Sequence, residues 1–213
     1  MSGGDKVNTC AILKRQGKYT IFQFNNDVIR FRTSTRLDRY TKIRRRKMDY
    51  KKAQNFWKEK AETLVKMDPA MLQEKIAEYI NANNTCALAT GADGFIRNTP
   101  IEYSYHDGCF WMFSEGGKKF IGLEKNPNVC IAIFDKYDSW GNLKGLQIMG
   151  SASIVEPFSE EYNAHAAVKK ISLTALQKLN HPMNLIKIKP SSADFLNSEF
   201  KKDGFDSRQH IEF

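Results

Sequence analysis

Residues 95–135 read FIRNTPIEYSYHDGCFWMFSEGGKKFIGLEKNPNVCIAIFD, and their pattern decides the fold. Three runs, Phe95–Tyr105, Cys109–Phe113 and Val129–Phe134, are dense in Ile, Phe, Tyr, Trp and Val, the side chains that suit a pleated, half-buried surface. His106-Asp107-Gly108 separates the first two as a tight turn, with glycine free to take a positive φ. After the second run comes a polar turn with paired glycines, Ser114-Glu115-Gly116-Gly117-Lys118-Lys119. A short helical pattern over Lys118–Lys125 follows, and Asn126-Pro127 ends it.

That turn has the chemistry of an anion site. Glycines allow close backbone approach, a helix start offers free N–H groups, and Lys118 and Lys119 add charge. Arg97, on the preceding strand, carries a planar fork that suits a phosphate. Composition alone favours the competing reading, a solvated loop with ordinary surface lysines. The spacing does not fit a nucleotide-hydrolysing phosphate loop, so that chemistry gains no support.

The succession Arg97-Asn98-Thr99-Pro100-Ile101, Asp107-Gly108, Phe113 to Lys119 and Asn126-Pro127-Asn128-Val129 resembles the FMN-binding split barrel. Within that fold it is similar to the pyridoxamine 5'-phosphate oxidase-related flavoproteins, over roughly residues 70–197. The resemblance implies a mainly β protein with flanking helices (α+β), built on a six-stranded antiparallel split β-barrel. It implies FMN as cofactor, with Arg97, Lys118 and Lys119 on the phosphate beside Phe113, Ser114 and Gly117. The main chain of Arg97, Asn98, Thr99, Pro100 and Ile101 would then lie against the isoalloxazine ring, with Gln147 directed toward it. It further implies a homodimer with the flavin at the subunit interface and a small-molecule substrate. Trp140, Arg208 and His210 are the candidate substrate contacts. The triplet Arg208-Gln209-His210 matches an Arg-x-His of true pyridoxamine phosphate oxidases but lacks their surroundings, and coincidence competes with function there.

The chain of 213 residues carries a net charge of +9, with residues 1–66 at +12 and the remainder at −3. The basic character therefore belongs to the N-terminal third. Residues 1–47 are expected to form a basic extension with a disordered start (1–8) and three short strands at Cys10–Lys14, Tyr19–Phe24 and Val28–Thr33. Residues 48–213 are expected to form the barrel domain, with helices before it and a tail that packs across a subunit. The basic run Arg36–Lys47 reads as a solvated linker rather than a nucleic-acid or membrane tether, because only Tyr40 interleaves an aromatic. Nucleic acid is not an expected partner.

Helices are expected over Asp49–Val65 and from Asp68-Pro69 to Ala82, the second with Leu72, Ile76, Tyr79 and Ile80 on one face. Thr85–Thr90, Leu143–Val155 and Met183–Ile188 read as further strands, with Gly150 marking a bulge or close approach. No apolar run is long enough to span a bilayer, and the scattered cysteines suit a reducing cytoplasm. Scattered His and Cys residues give no metal site, and His106 is expected to be exposed in its turn. The reading is an FMN-dependent oxidoreductase acting by hydride transfer at flavin N5. The alternative is a flavin-binding or sensor module without turnover, tethered or not by its basic N-terminus.

Overall fold

The computed structural model of the protein describes residues 10–16, 19–24, 27–32 and 48–213. The expected disorder of residues 1–8 and the basic run Arg36–Lys47 lie outside the described residues. The chain divides into two units, 1–62 and 63–213.

In the first unit, β1 (Cys10–Gln16), β2 (Tyr19–Phe24) and β3 (Asp27–Arg32) form an antiparallel meander, as the turn formers between the runs predict. The register places Ile12, Phe22 and Ile29 in one cross-strand row. Helix α1 (Tyr50–Ala61) starts where the Asp49 carboxylate accepts from the Lys52 N–H at 3.1 Å. None of its residues is buried, and Phe56 and Trp57 remain 52% and 44% exposed.

The second unit opens with α2 (Pro69–Asn81). Asp68 accepts from the N–H groups of Ala70 and Met71, and Pro69 supplies the first helical φ. Leu72, Ile76, Tyr79 and Ile80 are buried, the stripe that the sequence predicts. The strands are β4 (Thr85–Ala92), β5 (Phe95–Glu102), β6 (Ser104–His106), β7 (Cys109–Ser114), β8 (Asn128–Phe134), β9 (Lys144–Val155), β10 (Asn184–Asn197) and β11 (Arg208–Glu212). Short helices α3 (Lys119–Leu123), α4 (Glu160–Val168) and α5 (Leu173–Gln177) lie between them. Two Asp-Gly turns, 93–94 and 107–108, have positive φ at both residues and close the β4–β5 and β6–β7 hairpins.

The sheet order is β5-β4-β8-β9-β10-β7-β6, with β11 also on β10. This is the split-barrel α+β fold, with eight strands in the sheet rather than six. Two local causes account for the extra strands. Tyr103 leaves the sheet to bury its ring and donate from its hydroxyl to the Ile80 carbonyl at 2.7 Å, which splits the expected Phe95–Tyr105 run into β5 and β6. The tail forms β11 on its own chain's β10. One long strand, β10, serves three neighbours. It pairs with β9 along its length, with β7 through residues 184–188 and with β11 through residues 192–196.

Strand β7 is covered on both faces. Phe110 and Met112 join the barrel core with Leu88, Ile131 and Ile148, while Cys109 and Trp111 join a second core with Tyr162, Ala166 and Leu185. A strand buried on both sides reads as a continuous apolar run, which is what CFWMF shows.

Gly150 faces Pro190, where the register of β9 and β10 shifts. A Cβ there would stand 2.7 Å from the Lys189 carbonyl oxygen. Gly150→Ala is therefore expected to destabilise the protein by about 1–3 kcal/mol, as overpacking does. Urea unfolding measures it, and an unchanged midpoint would show that the bulge yields at no cost.

Candidate functional site

Lys119 is the starting point. Its side chain is 7% exposed, and its ammonium donates to the Gly116 carbonyl and sits 5.2 Å from the centre of the Phe120 ring. No carboxylate pairs with it among the described residues. Burial, and then the charge of Arg97, hold its pKa below the ordinary lysine value. Arg97 and Lys118 are exposed, and their side chains make no hydrogen bond or ion pair among the described residues. Arg97 and Lys119 thus lie close enough to repel each other, with no carboxylate paired to either among the described residues.

The backbone around them is set by glycine. Gly116 and Gly117 take φ of 146° and 104°, where side chains are strained, and open space surrounds Gly116. The Ser114 hydroxyl pins this turn, accepting from the Gly116 N–H and donating to the Gly116 carbonyl, each at 3.2 Å. Gly122 lets α3 press onto β4, for a Cβ there would lie 2.7 Å from the Gly91 nitrogen. Asn126 locks the contact by donating to the Gly91 carbonyl at 2.9 Å. Helix α3 is only five residues long, shorter than the sequence pattern suggests. What this turn offers an anion is therefore side-chain charge rather than a helix terminus.

Register fixes the faces of β5. Arg97 lies opposite Thr90 and Thr99 opposite Leu88, on the face toward the barrel core. Thr90 and Thr99 both hold a buried hydroxyl with no hydrogen-bond partner among the described residues. Asn98 and Pro100 are exposed on the other face, and Ile101 packs on the barrel core. Phe113 turns its ring into the second core, 5.4 Å from Tyr162, so only its main chain belongs to the turn. Trp140 begins a 3-10 turn, Trp140–Asn142, in the connection before β9.

Gln147, Arg208 and His210 lie on the outer face of the sheet, opposite to Arg97. One row runs Pro100, Ala87, Ala132, Gln147, Asp194, His210 across β5, β4, β8, β9, β10 and β11. The next runs Asn98, Ala89, Cys130, Met149, Ser192, Glu212. His210 bridges Asp194 at 3.1 Å and Glu212 at 3.0 Å. Partial burial pulls its pKa down, but its hydrogen bonds to Glu212 and Asp194 outweigh that and hold it above the ordinary histidine value. The middle residue of the triplet has a structural part: buried Gln209 accepts from the Met67 N–H and donates to the carbonyls of Val65 and Asp206. Sequence reasoning missed Thr90 and Asp194, because only cross-strand pairing shows what they face.

The family pattern described as Pyridoxamine 5'-phosphate oxidase matches residues 72–197. The chain belongs to the pyridoxamine 5'-phosphate oxidase-related family. A second pattern, a domain of unknown function, matches residues 9–84 of this family member. No curated protein matches it. Among solved structures, Campylobacter jejuni ChuZ is 16% identical with a TM-score of 0.53, over 99% of this chain and 82% of that one. A FAD-binding protein from Mesorhizobium loti is 18% identical with a TM-score of 0.47, over 66% and 94% of the two chains. HutZ, the heme storage protein from Vibrio cholerae, is 22% identical with a TM-score of 0.48, over 56% and 90%. No helix among the described residues of this oxidase-related chain is long and apolar enough to cross a membrane.

A buried cation without a counter-ion is a cost to the unliganded fold. Lys119→Met is therefore expected to raise stability without ligand by about 1 kcal/mol, in the pattern of stabilising changes at binding sites. A lower urea midpoint for this variant would contradict the reading.

Proposed function

We propose that the protein is an FMN-dependent oxidoreductase that acts on a small molecule as a two-fold dimer. The observation that carries this is Lys119, a buried ammonium beside Arg97 with no carboxylate partner. A phosphate dianion would satisfy both groups, and Lys118 stands next to them with its charge free. The donor set fits FMN in a second respect, since the Thr99 hydroxyl is buried without a partner in the segment assigned to the ring. Bound there, the flavin would supply the redox chemistry.

The chain's own residues would then do three things. Arg97, Lys118 and Lys119 neutralise the phosphate, with Ser114 and Gly117 shaping the turn that holds it. The main chain from Arg97 to Ile101 lines the ring and keeps water from one side. Gln147, Arg208 and His210 sit on the opposite face of the same sheet, so a single chain does not bring them to the cradle. A second copy would. The outer face has the composition for such packing, with Ala87, Ala89 and Ala132 in its middle rows and Met149 47% exposed. His210, whose two ring nitrogens both face carboxylates, would reach a substrate at that interface by exchanging one of those partners for it. Trp140 remains a proposed substrate contact from the family resemblance.

Titration with FMN and riboflavin tests the cradle. FMN is expected to bind more tightly than riboflavin. Lys118→Ala and Lys119→Ala are each expected to weaken FMN roughly tenfold to a hundredfold, at about 1.5–3 kcal/mol per lost charged contact, with riboflavin unchanged. A protein that takes up neither flavin overturns the proposal. Light scattering is expected to report a dimer, and a monomer that still holds FMN tightly would remove the two-copy site. Anaerobic addition of nicotinamide donors or small amines is expected to bleach the bound flavin. Bleaching by dithionite alone would favour the alternative, a flavin-binding module without turnover.

A further inference from the structure

The second core contains a chain of titratable groups that the proposed function leaves unused. Asp107 Oδ2 lies 2.9 Å from His106 Nδ1, and His106 Nε2 lies 2.9 Å from Nδ1 of His165 on α4. The two ring planes differ by 15°, and both rings lie nearly parallel to the Trp111 indole, at 4.9 and 5.1 Å. Phe113 closes another side of His165 at 5.2 Å. His165 is 1% exposed, and its Nε2 has no hydrogen-bond partner among the described residues. The expectation of an exposed, isolated His106 is thereby corrected, because the β6–β7 hairpin docks on α4.

Hydrogen-bond logic fixes the tautomers. The Asp107 carboxylate only accepts, so His106 carries its proton on Nδ1 and accepts at Nε2. His165 therefore carries its proton on Nδ1, and its Nε2 is a bare lone pair among aromatic carbons. An added proton has two places to go. On His165 Nε2 it creates a buried imidazolium with an unsatisfied N–H. On His106 Nε2 it forces His165 to accept at Nδ1, which moves the His165 proton to Nε2. Both routes leave an N–H in the aromatic core with no acceptor.

The surroundings offer no remedy. Lys169, at the end of α4, is a cation paired with Glu102 at 2.8 Å. Cys109 lies opposite His106 in the hairpin and is buried. Lys187 stands over the Trp111 ring at 5.0 Å and pairs with Glu161 at 2.6 Å. The Tyr162 hydroxyl is committed to the Met183 carbonyl at 3.1 Å.

We propose that His106 and His165 form a proton-operated latch between the β6–β7 hairpin and α4, closed while both rings are neutral and loosened by one added proton. The latch is independent of the flavin reading, although Phe113, which packs on His165, directly precedes Ser114 of the cradle. The sign follows from burial, which with His106 and Lys169 lowers the His165 pKa from 6.5 to about 4. A histidine held neutral contributes its full stability above about 6.5 and loses it as pH falls toward about 4.

Two measurements on the full chain test it. Ring nitrogen NMR at neutral pH is expected to show His165 protonated on Nδ1 and bare on Nε2. Hydrogen exchange of the α4 amides, corrected for intrinsic rates and referenced to β9, is expected to quicken about tenfold between about pH 7 and about pH 5. His165→Phe keeps the ring stack and is expected to abolish that step, with His106→Phe as the second variant. A His165 protonated on Nε2 at neutral pH, or an acid step unchanged in a folded variant, overturns the proposal.

Discussion

An ammonium group 7% exposed, next to a guanidinium and without a carboxylate, is a standing electrostatic cost that this fold retains. Its position depends on one close contact. Gly122 sits so near Gly91 that α3 lies directly on β4, and Asn126 fastens the two together. That contact carries Lys119 to the face of the sheet where Arg97 already stands opposite Thr90. In the proposed complex an anion beside both groups would offset that cost.

The period-two geometry of strands governs the remaining site. Neighbouring residues on β5 face opposite ways, so Arg97 and Thr99 turn inward while Asn98 and Pro100 turn outward. The same alternation across β9, β10 and β11 sends Gln147, Asp194 and His210 to the outer face in a single row. The two sets of proposed site residues therefore lie on opposite sides of one sheet. Two-fold symmetry is the simplest operation that could bring one beside the other, since each copy would give and receive the same surface.

Much of this was legible in the sequence where the cause is local. The Asp-Gly turns at 93–94 and 107–108 have the positive φ that their residue types favour, and Asp68-Pro69 starts α2 as capping chemistry requires. The Phe95–Tyr105 run misled because strand propensity continues through Tyr103, while the tertiary bond from its hydroxyl to Ile80 breaks the strand. The tail was likewise opaque, as no local pattern states that Arg208–Glu212 pairs with residues 192–196 of β10. His106 and His165 are 59 residues apart, and only the docking of α4 on the β6–β7 hairpin joins them. Lys119 was visible as a lysine in a glycine turn. Its burial, which gives the site its meaning, was not.

A crystal structure of the protein soaked with FMN addresses the central claim most directly. The account predicts the phosphate within hydrogen-bond distance of Lys119 Nζ and the Arg97 guanidinium, with Gln147, Arg208 and His210 of a second copy near the ring. Phosphate density on the outer face of the sheet, away from Lys119, would contradict it.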